Sequence, residues 1–232
     1  MAAVIAAVLA MEAEMVDNAR VAMVAGATGL VGQEILAALL ADKTYSAVHC
    51  VGRRTLDQKH PKLFCHVVDF AALPHDLPRV DDCFIALGTT IKVAGSQEAF
   101  RAIDLKAVEA LALAVKASGA TKLGVVSAMG ANSQSSVFYN RIKGEMEVSL
   151  ARMGFKSLVI ARPSLIDGDR TALNQPGRAG EGLGLMLTRK LGPLLPSNYR
   201  AIAAKDVAHA LIRSVKAGTP GVVTLLSGEM QG

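Results

Sequence analysis

The chain has 232 residues, 51% of them hydrophobic and 19% charged, and a formal net charge of +5. The charge is too small and the apolar content too high for a disordered chain, and the length suits one domain that closes a sizeable core. Trp is absent and aromatic residues make up only 4%, so Ala, Val, Leu, Ile and Met must build that core, which suits close helix-on-sheet layers.

Cys50, Cys65 and Cys83 are odd in number, have no CxxC spacing and fall in apolar runs. They argue against a disulfide framework or zinc site and for a reduced, cytoplasmic compartment. The basic excess is local. Arg53, Arg54, Lys59 and Lys62 stand against Asp57, and Arg178, Arg189, Lys190 and Arg200 stand against Glu181. Neither patch is the long basic face interleaved with aromatics that binds nucleic acid, so no nucleic-acid partner is expected.

Residues 1–19 read as an N-terminal extension. Val4, Val8, Met11 and Met15 recur at helical spacing, which predicts a helix laid on the domain surface or a loose segment from an upstream start codon, with peripheral membrane contact as the lesser alternative because the short apolar face lacks basic flanks. The apolar run lacks a basic start and is too short to span a bilayer, so neither a secretory signal nor an integral membrane segment is expected.

The first predicted strand, Val21–Ala25, runs into Gly26-Ala27-Thr28-Gly29-Leu30-Val31-Gly32 and then into an Ala/Leu-rich helix from Leu30. Gly26 permits the tight turn, Gly29 lets backbone N–H groups approach a pyrophosphate, and Gly32 lets helix and strand pack closely. A glycine pattern alone is weak, but strand before and helix after make it a dinucleotide loop.

The second strand, Ala47–Val51, ends in Gly52-Arg53-Arg54, where an enzyme specific for NAD ordinarily carries an acid for the ribose hydroxyls. Two guanidiniums there can fork onto a 2′-phosphate, which predicts NADP(H) over NAD(H). Next come Phe64–Val68, followed by Asp69 near the expected adenine, and Asp82–Ala86, followed by Leu87-Gly88-Thr89, where a small residue lets the chain pass close to the cofactor.

Residues 97–118 predict one helix with Phe100, Ile103, Ala107, Leu111 and Val115 on its buried stripe. Strand Lys122–Ser127 follows, then a helix from about Val137 carrying Tyr139 and Lys143 at i and i+4, neighbours on one face. An ammonium beside a phenol favours the phenolate, so Tyr139 is suited to exchange a proton. Ser127 stands at the strand end, placed to hydrogen-bond a carbonyl or hydroxyl. Strand Ser157–Ala161, a helix from Lys205 and strand Val222–Leu226 complete the pattern. Residues 167–199 break it, with Gly and Pro crowding an apolar and basic segment that reads as a substrate loop with a short helix through 183–191.

Strands alternating with helices predict an α/β fold, a doubly wound parallel sheet of Rossmann type. The predicted organisation is an NADP-binding domain over 20–166 and a small C-terminal substrate lobe over 167–232 that returns a helix and strand to the sheet. His49, His60, His66, His75 and His209 show no metal-ligand spacing, so no metal is expected.

The segments GATGLVG at 26–32, VGRR at 51–54, FRAIDLKAV at 100–108, VVSAMGAN at 125–132, YNRIKGEME at 139–147 and ARPSLIDGDR at 161–170 resemble the atypical short-chain dehydrogenase/reductases, in the group of Tat-interacting-protein-like NAD(P)-binding oxidoreductases. The resemblance implies Ser127, Tyr139 and Lys143 in the catalytic places and Pro163, Ser164 and Leu165 along the nicotinamide. The Asn that many such enzymes keep on the fourth helix is missing, since that region reads Ala102-Ile103-Asp104, and Ala128 stands where a second hydroxyl is common.

The function expected is NADP(H)-dependent reduction or oxidation of a small carbonyl or quinone-like compound. A redox-sensing NADP(H)-binding protein without turnover is the alternative, and a nucleotide-sugar epimerase or dehydratase ranks third. The small-molecule substrate is unspecified, and a homodimer or a protein partner is compatible with the chain.

Overall fold

The structure is a computed structural model that describes residue 1, residues 19–167 and residues 196–231. The N-terminal extension, the short helix through 183–191 and most of the substrate loop lie outside the described residues.

Seven strands form one parallel sheet: β1 Arg20–Ala25, β2 Tyr45–Gly52, β3 Leu63–Val67, β4 Asp82–Ile85, β5 Lys122–Val126, β6 Ser157–Arg162 and, from the C-terminal part, Gly221–Leu226. Residues 166–167 (β7) and 202–203 (β8) pair separately as a two-stranded parallel ribbon, so the last strand of the main sheet is β9. The order is β3-β2-β1-β4-β5-β6-β9. The chain winds outward from β1 to β3, returns to β4 and winds the other way, which leaves a switch point between β1 and β4. Open parallel sheets bind ligands outside the carboxyl ends of such strands.

The central strands β1, β4, β5 and β6 are buried on both faces, and their side chains alternate between two cores. Ala22 and Val24 of β1 face one core; Met23 and Ala25 face the other. The first core is closed by α1, Leu30–Ala41, through Ile35, Leu36 and Leu39, and by a C-terminal helix, Ala204–Ala217, through Val207, Leu211 and Val215. That helix passes very close to β5: a Cβ on Gly124 would lie 2.8 Å from Val215 Cγ2.

On the opposite face, α2 Ile91–Ala94 and α3 Gln97–Arg101 lead through a π-helical stretch, Ala102–Ala107, into α4 Val108–Ala117, and α5 Phe138–Arg152 packs beside them. Ser96 caps α3 by accepting from Ala99 N. The helix Ala204–Ala217 is therefore α6, and a short α7, Ser227–Met230, ends the described chain.

The single helix expected over 97–118 is interrupted by the π stretch. The wider turn buries two consecutive residues, Asp104 and Leu105, and turns Ile103, expected in the core stripe, toward the cleft described below. The strands expected to end at Ala86 and Ser127 end one residue earlier, with Ala86 and Ser127 each still donating its N–H to the neighbouring strand.

Residues 204–226 lie in the same layers as the N-terminal half, α6 on the first core and β9 paired with β6 over six positions. Cys50, Cys65 and Cys83 are free thiols, and no described helix is long and apolar enough to cross a membrane.

Candidate active site

The carboxyl ends of β1, β2, β4 and β5 open onto a cleft of about 630 Å³. At its floor, β1 turns through the glycine loop into α1. Gly26 has φ +85°, and a Cβ there would lie 2.5 Å from Ala86 O; a Cβ on Gly32 would lie 2.0 Å from Gly26 O. Any side chain at either position would collide with backbone, so both glycines are required by the turn and the close packing behind it. Gly26, Thr28, Gly29, Leu30 and Val31 line the cleft, whereas Gly32 stands behind it.

The first turn of α1 carries no acidic residue, and its cap, Gly29, makes no side-chain capping bond. The first turn of α1 itself thus sets no carboxylate against the positive end of the helix dipole, which suits a bound pyrophosphate. Arg53 and Arg54, exposed after β2, line the same cleft, as does Asp69, whose carboxylate accepts from Ala71 N at 2.9 Å. Leu87, Gly88 and Thr89 line it from the end of β4. Glycine cradle, unopposed helix terminus and arginine pair fit a dinucleotide phosphate chain.

Tyr139 and Lys143 project from one face of α5 into the cleft, and Ser127 borders it from the end of β5. The Tyr139 ring packs against Phe100, centroids 5.5 Å apart. This places the phenol between α3 and α5 with its ring body fixed. The loop after β5 is pressed against α5 at Gly144, where a Cβ would lie 2.1 Å from Ser133 N. A glycine one residue after Lys143 is what permits that approach.

Two charged networks lie beneath these three residues. Lys143 Nζ is 2.7 Å from Asp104 Oδ1, with both side chains almost wholly buried, and Asp104 Oδ2 accepts from Thr89 N at 2.9 Å. Ser127 Oγ donates to Glu147 Oε1 at 2.5 Å, while Arg162 Nε and Nη2 donate to the two oxygens of Glu147 at 3.0 and 2.5 Å. Its hydrogen bonds to the Glu147 carboxylate outweigh partial burial and push the Arg162 guanidinium up, so it stays charged.

Pro163, Ser164 and Leu165 are not among the described residues that line the cleft; Ile166 is. Their polar groups have other partners. Pro163 O accepts from Met129 N at 2.9 Å, Ser164 Oγ donates to Arg200 O and lies 2.9 Å from Ser227 Oγ, and Leu165 O accepts from Ile202 N at 3.0 Å. They tie β6 to the ribbon and to α7. Sequence reasoning did not single out Glu147, Lys106 or Thr90; Glu147 lies within the YNRIKGEME segment, one helical turn beyond Lys143 on the same face of α5, and only its contacts with Ser127 and Arg162 mark it.

No family model matches the chain. Protein HTATIP2 of Rattus norvegicus is 31% identical over 212 residues, spanning 89% of this chain and 82% of that protein. Protein FMP52, mitochondrial, of Debaryomyces hansenii is 33% identical over 200 residues, spanning 82% and 85%. Among solved structures, the Bordetella bronchiseptica enzyme WbmF in complex with NAD+ superposes with a TM-score of 0.64 at 20% identity, covering 91% of this chain and 74% of that one. The cytoplasmic expectation is corrected by these relatives, since FMP52 proteins of several fungi carry the name mitochondrial. Free thiols fit any reducing compartment and never singled out the cytosol.

Proposed function

The chain belongs to the atypical short-chain dehydrogenase/reductases of the HTATIP2 type, and from that membership we propose that it is an NADP(H)-dependent oxidoreductase acting on a small carbonyl or quinone-like compound. The observation that carries the proposal is that Tyr139 and Lys143, on one face of α5, open into the same cleft as the glycine loop and the Arg53–Arg54 pair.

In this reading the N-terminus of α1 and the backbone of Gly26–Val31 hold the pyrophosphate, and Arg53 and Arg54 fork onto the 2′-phosphate. The nicotinamide, when bound, supplies or accepts the hydride. Tyr139 gives its phenolic proton to the substrate oxygen in reduction and takes one back in oxidation. Lys143 lies one helical turn further along α5, where its ammonium reaches the ribose hydroxyls and stands on the same face as the phenol.

Ser127 has one proton, and Glu147 accepts it. The serine therefore offers lone pairs to a substrate hydroxyl directly, and donates to a carbonyl only by turning that proton away from Glu147. Proton exchange consequently rests on Tyr139, with Ser127 as a clamp.

The test is NADPH consumption across a panel of small aldehydes, ketones and quinones, with NADH in parallel. Consumption of NADPH in preference to NADH supports the proposal. Tight NADPH binding without consumption throughout the panel would overturn it in favour of a redox sensor.

A further inference from the structure

We propose that Asp104 is the counter-ion that keeps Lys143 charged and fixed in the site, a positioning residue that acts on Tyr139 through Lys143. The inference rests on the catalytic reading of Tyr139 and Lys143 given above.

The Lys143 side chain is 4% exposed and the Asp104 side chain 0%. An isolated ammonium at such a position is strongly penalised and gives up its proton, and an isolated carboxylate takes one up. Paired at 2.7 Å, each charge offsets part of the other's penalty, through charge attraction, since Asp104 Oδ1 accepts no hydrogen bond among the described residues. The carboxylate's second oxygen is satisfied by Thr89 N at 2.9 Å, which fixes Asp104 to the end of β4 as well as to α5.

The backbone is shaped around the pair. Asp104 lies in the π-helical stretch, and such wide turns recur where a fold aims a side chain into a site. Across the pair stands Gly88, where a Cβ would lie 3.5 Å from Asp104 Oδ1 and 3.7 Å from Lys143 Nζ. The glycine leaves both charges bordering the cleft instead of sealed behind a side chain.

Other charged groups nearby have separate partners. Lys106 Nζ pairs with Glu109 at 2.9 Å, Arg101 with Glu145 at 2.8 Å and Arg162 with Glu147 at 2.5 Å, while Arg141 donates to Ser135 O at 3.0 Å. Arg53, Arg54 and Asp69 border the cleft from β2 and β3. Asp104 is a carboxylate in direct contact with Lys143.

The test is a pH titration of the chain without substrate, by NMR of 15N-labelled lysine, with the Lys143 signal assigned through Lys143→Arg. Asp104→Asn is expected to lower the Lys143 midpoint by more than about one pH unit relative to the parent chain. The reciprocal variant, Lys143→Met, is expected to raise the Asp104 side-chain carboxyl midpoint by a similar amount, read by 13C, and it decides the matter if Asp104→Asn does not fold. An unchanged midpoint for the surviving partner overturns the proposal. Because the titration involves no turnover, a chain that binds NADPH without consuming it refutes the oxidoreductase reading and leaves this readout intact.

Discussion

Glu147 accepts the hydroxyl proton of Ser127 at 2.5 Å from a position fixed by Arg162, whose guanidinium grips both carboxylate oxygens. The Glu147 side chain is only 7% exposed. Removing one member of such a pair leaves the other charge desolvated, at a cost of about 3 kcal/mol. Glu147→Ala should therefore lower Tm by about 6–12 °C in a calorimetric scan. Ser127→Ala removes only a hydrogen bond, and its Tm should stay within a few degrees of the parent.

The same arrangement orders the catalytic losses. With its proton engaged by Glu147, Ser127 contributes less to proton exchange than Tyr139. Ser127→Ala should lower kcat/KM by roughly tenfold, whereas losing a general acid costs about 10²- to 10⁴-fold. Steady-state kinetics of the two single variants checks the order, and equal losses would show that Ser127 donates in the transition state.

Gly144 offers a steric test. A Cβ there meets backbone at 2.1 Å on Ser133 N and 2.2 Å on Asn132 C, and backbone cannot yield as a flexible side chain can. Gly144→Ala should destabilise the fold by about 2–3 kcal/mol in urea unfolding. Because the loop and α5 carry Ser127 and Tyr139, turnover should fall even where the variant remains folded.

Away from the cleft, α6 is tied to the turn after α1 by an ion pair between Asp42 and Lys216 at 2.5 Å, with Thr44 N donating to Asp42 at 2.9 Å. Burial opposes ionisation of Asp42, but these hydrogen bonds outweigh it and hold its carboxyl down at about 2, below the ordinary 3.8. The folded state thus binds this proton less readily than the unfolded one. The contribution is present above about pH 4 and is lost as pH falls toward 2. Asp42→Asn should cost about 0.5–1 kcal/mol at pH 7, the scale of partly exposed pairs, and much less at pH 2.

The seven main strands and the starts of the helices at Leu30 and Gln97 were legible because apolar alternation and glycine turns are local signals. The glycine loop, the arginine pair and the Tyr139–Lys143 spacing were legible for the same reason. Contacts made by strand register were not. His49 and His66 carry no ligand spacing, yet adjacent strands bring their rings within hydrogen-bond distance, 2.9 Å. The π turn also escaped, since the stripe read over residues 97–118 assumes 3.6 residues per turn throughout and so put Ile103, not Asp104, on the buried face. The Glu147–Arg162 clamp joins α5 to β6 and depends on how the two elements pack.

Cofactor preference is testable through Arg53 and Arg54. Each guanidinium–phosphate contact contributes on the order of 1.5–3 kcal/mol. Arg53→Ala with Arg54→Ala should weaken NADPH binding by at least about tenfold, leave NADH binding nearly unchanged and reduce the salt dependence of NADPH affinity. Unchanged NADPH affinity in the double variant would place the preference elsewhere, and equal affinity of the parent chain for NADPH and NADH would show that there is none.

The most direct measurement is of Tyr139→Phe, comparing NADPH affinity by calorimetry with NADPH consumption on whichever carbonyl or quinone compound the parent chain turns over. Phenylalanine preserves the packing on Phe100 and removes the one proton the reaction needs. The variant should bind NADPH as the parent does and lose turnover by at least about 100-fold. A phenylalanine variant that turns over at the parent rate would contradict the mechanism.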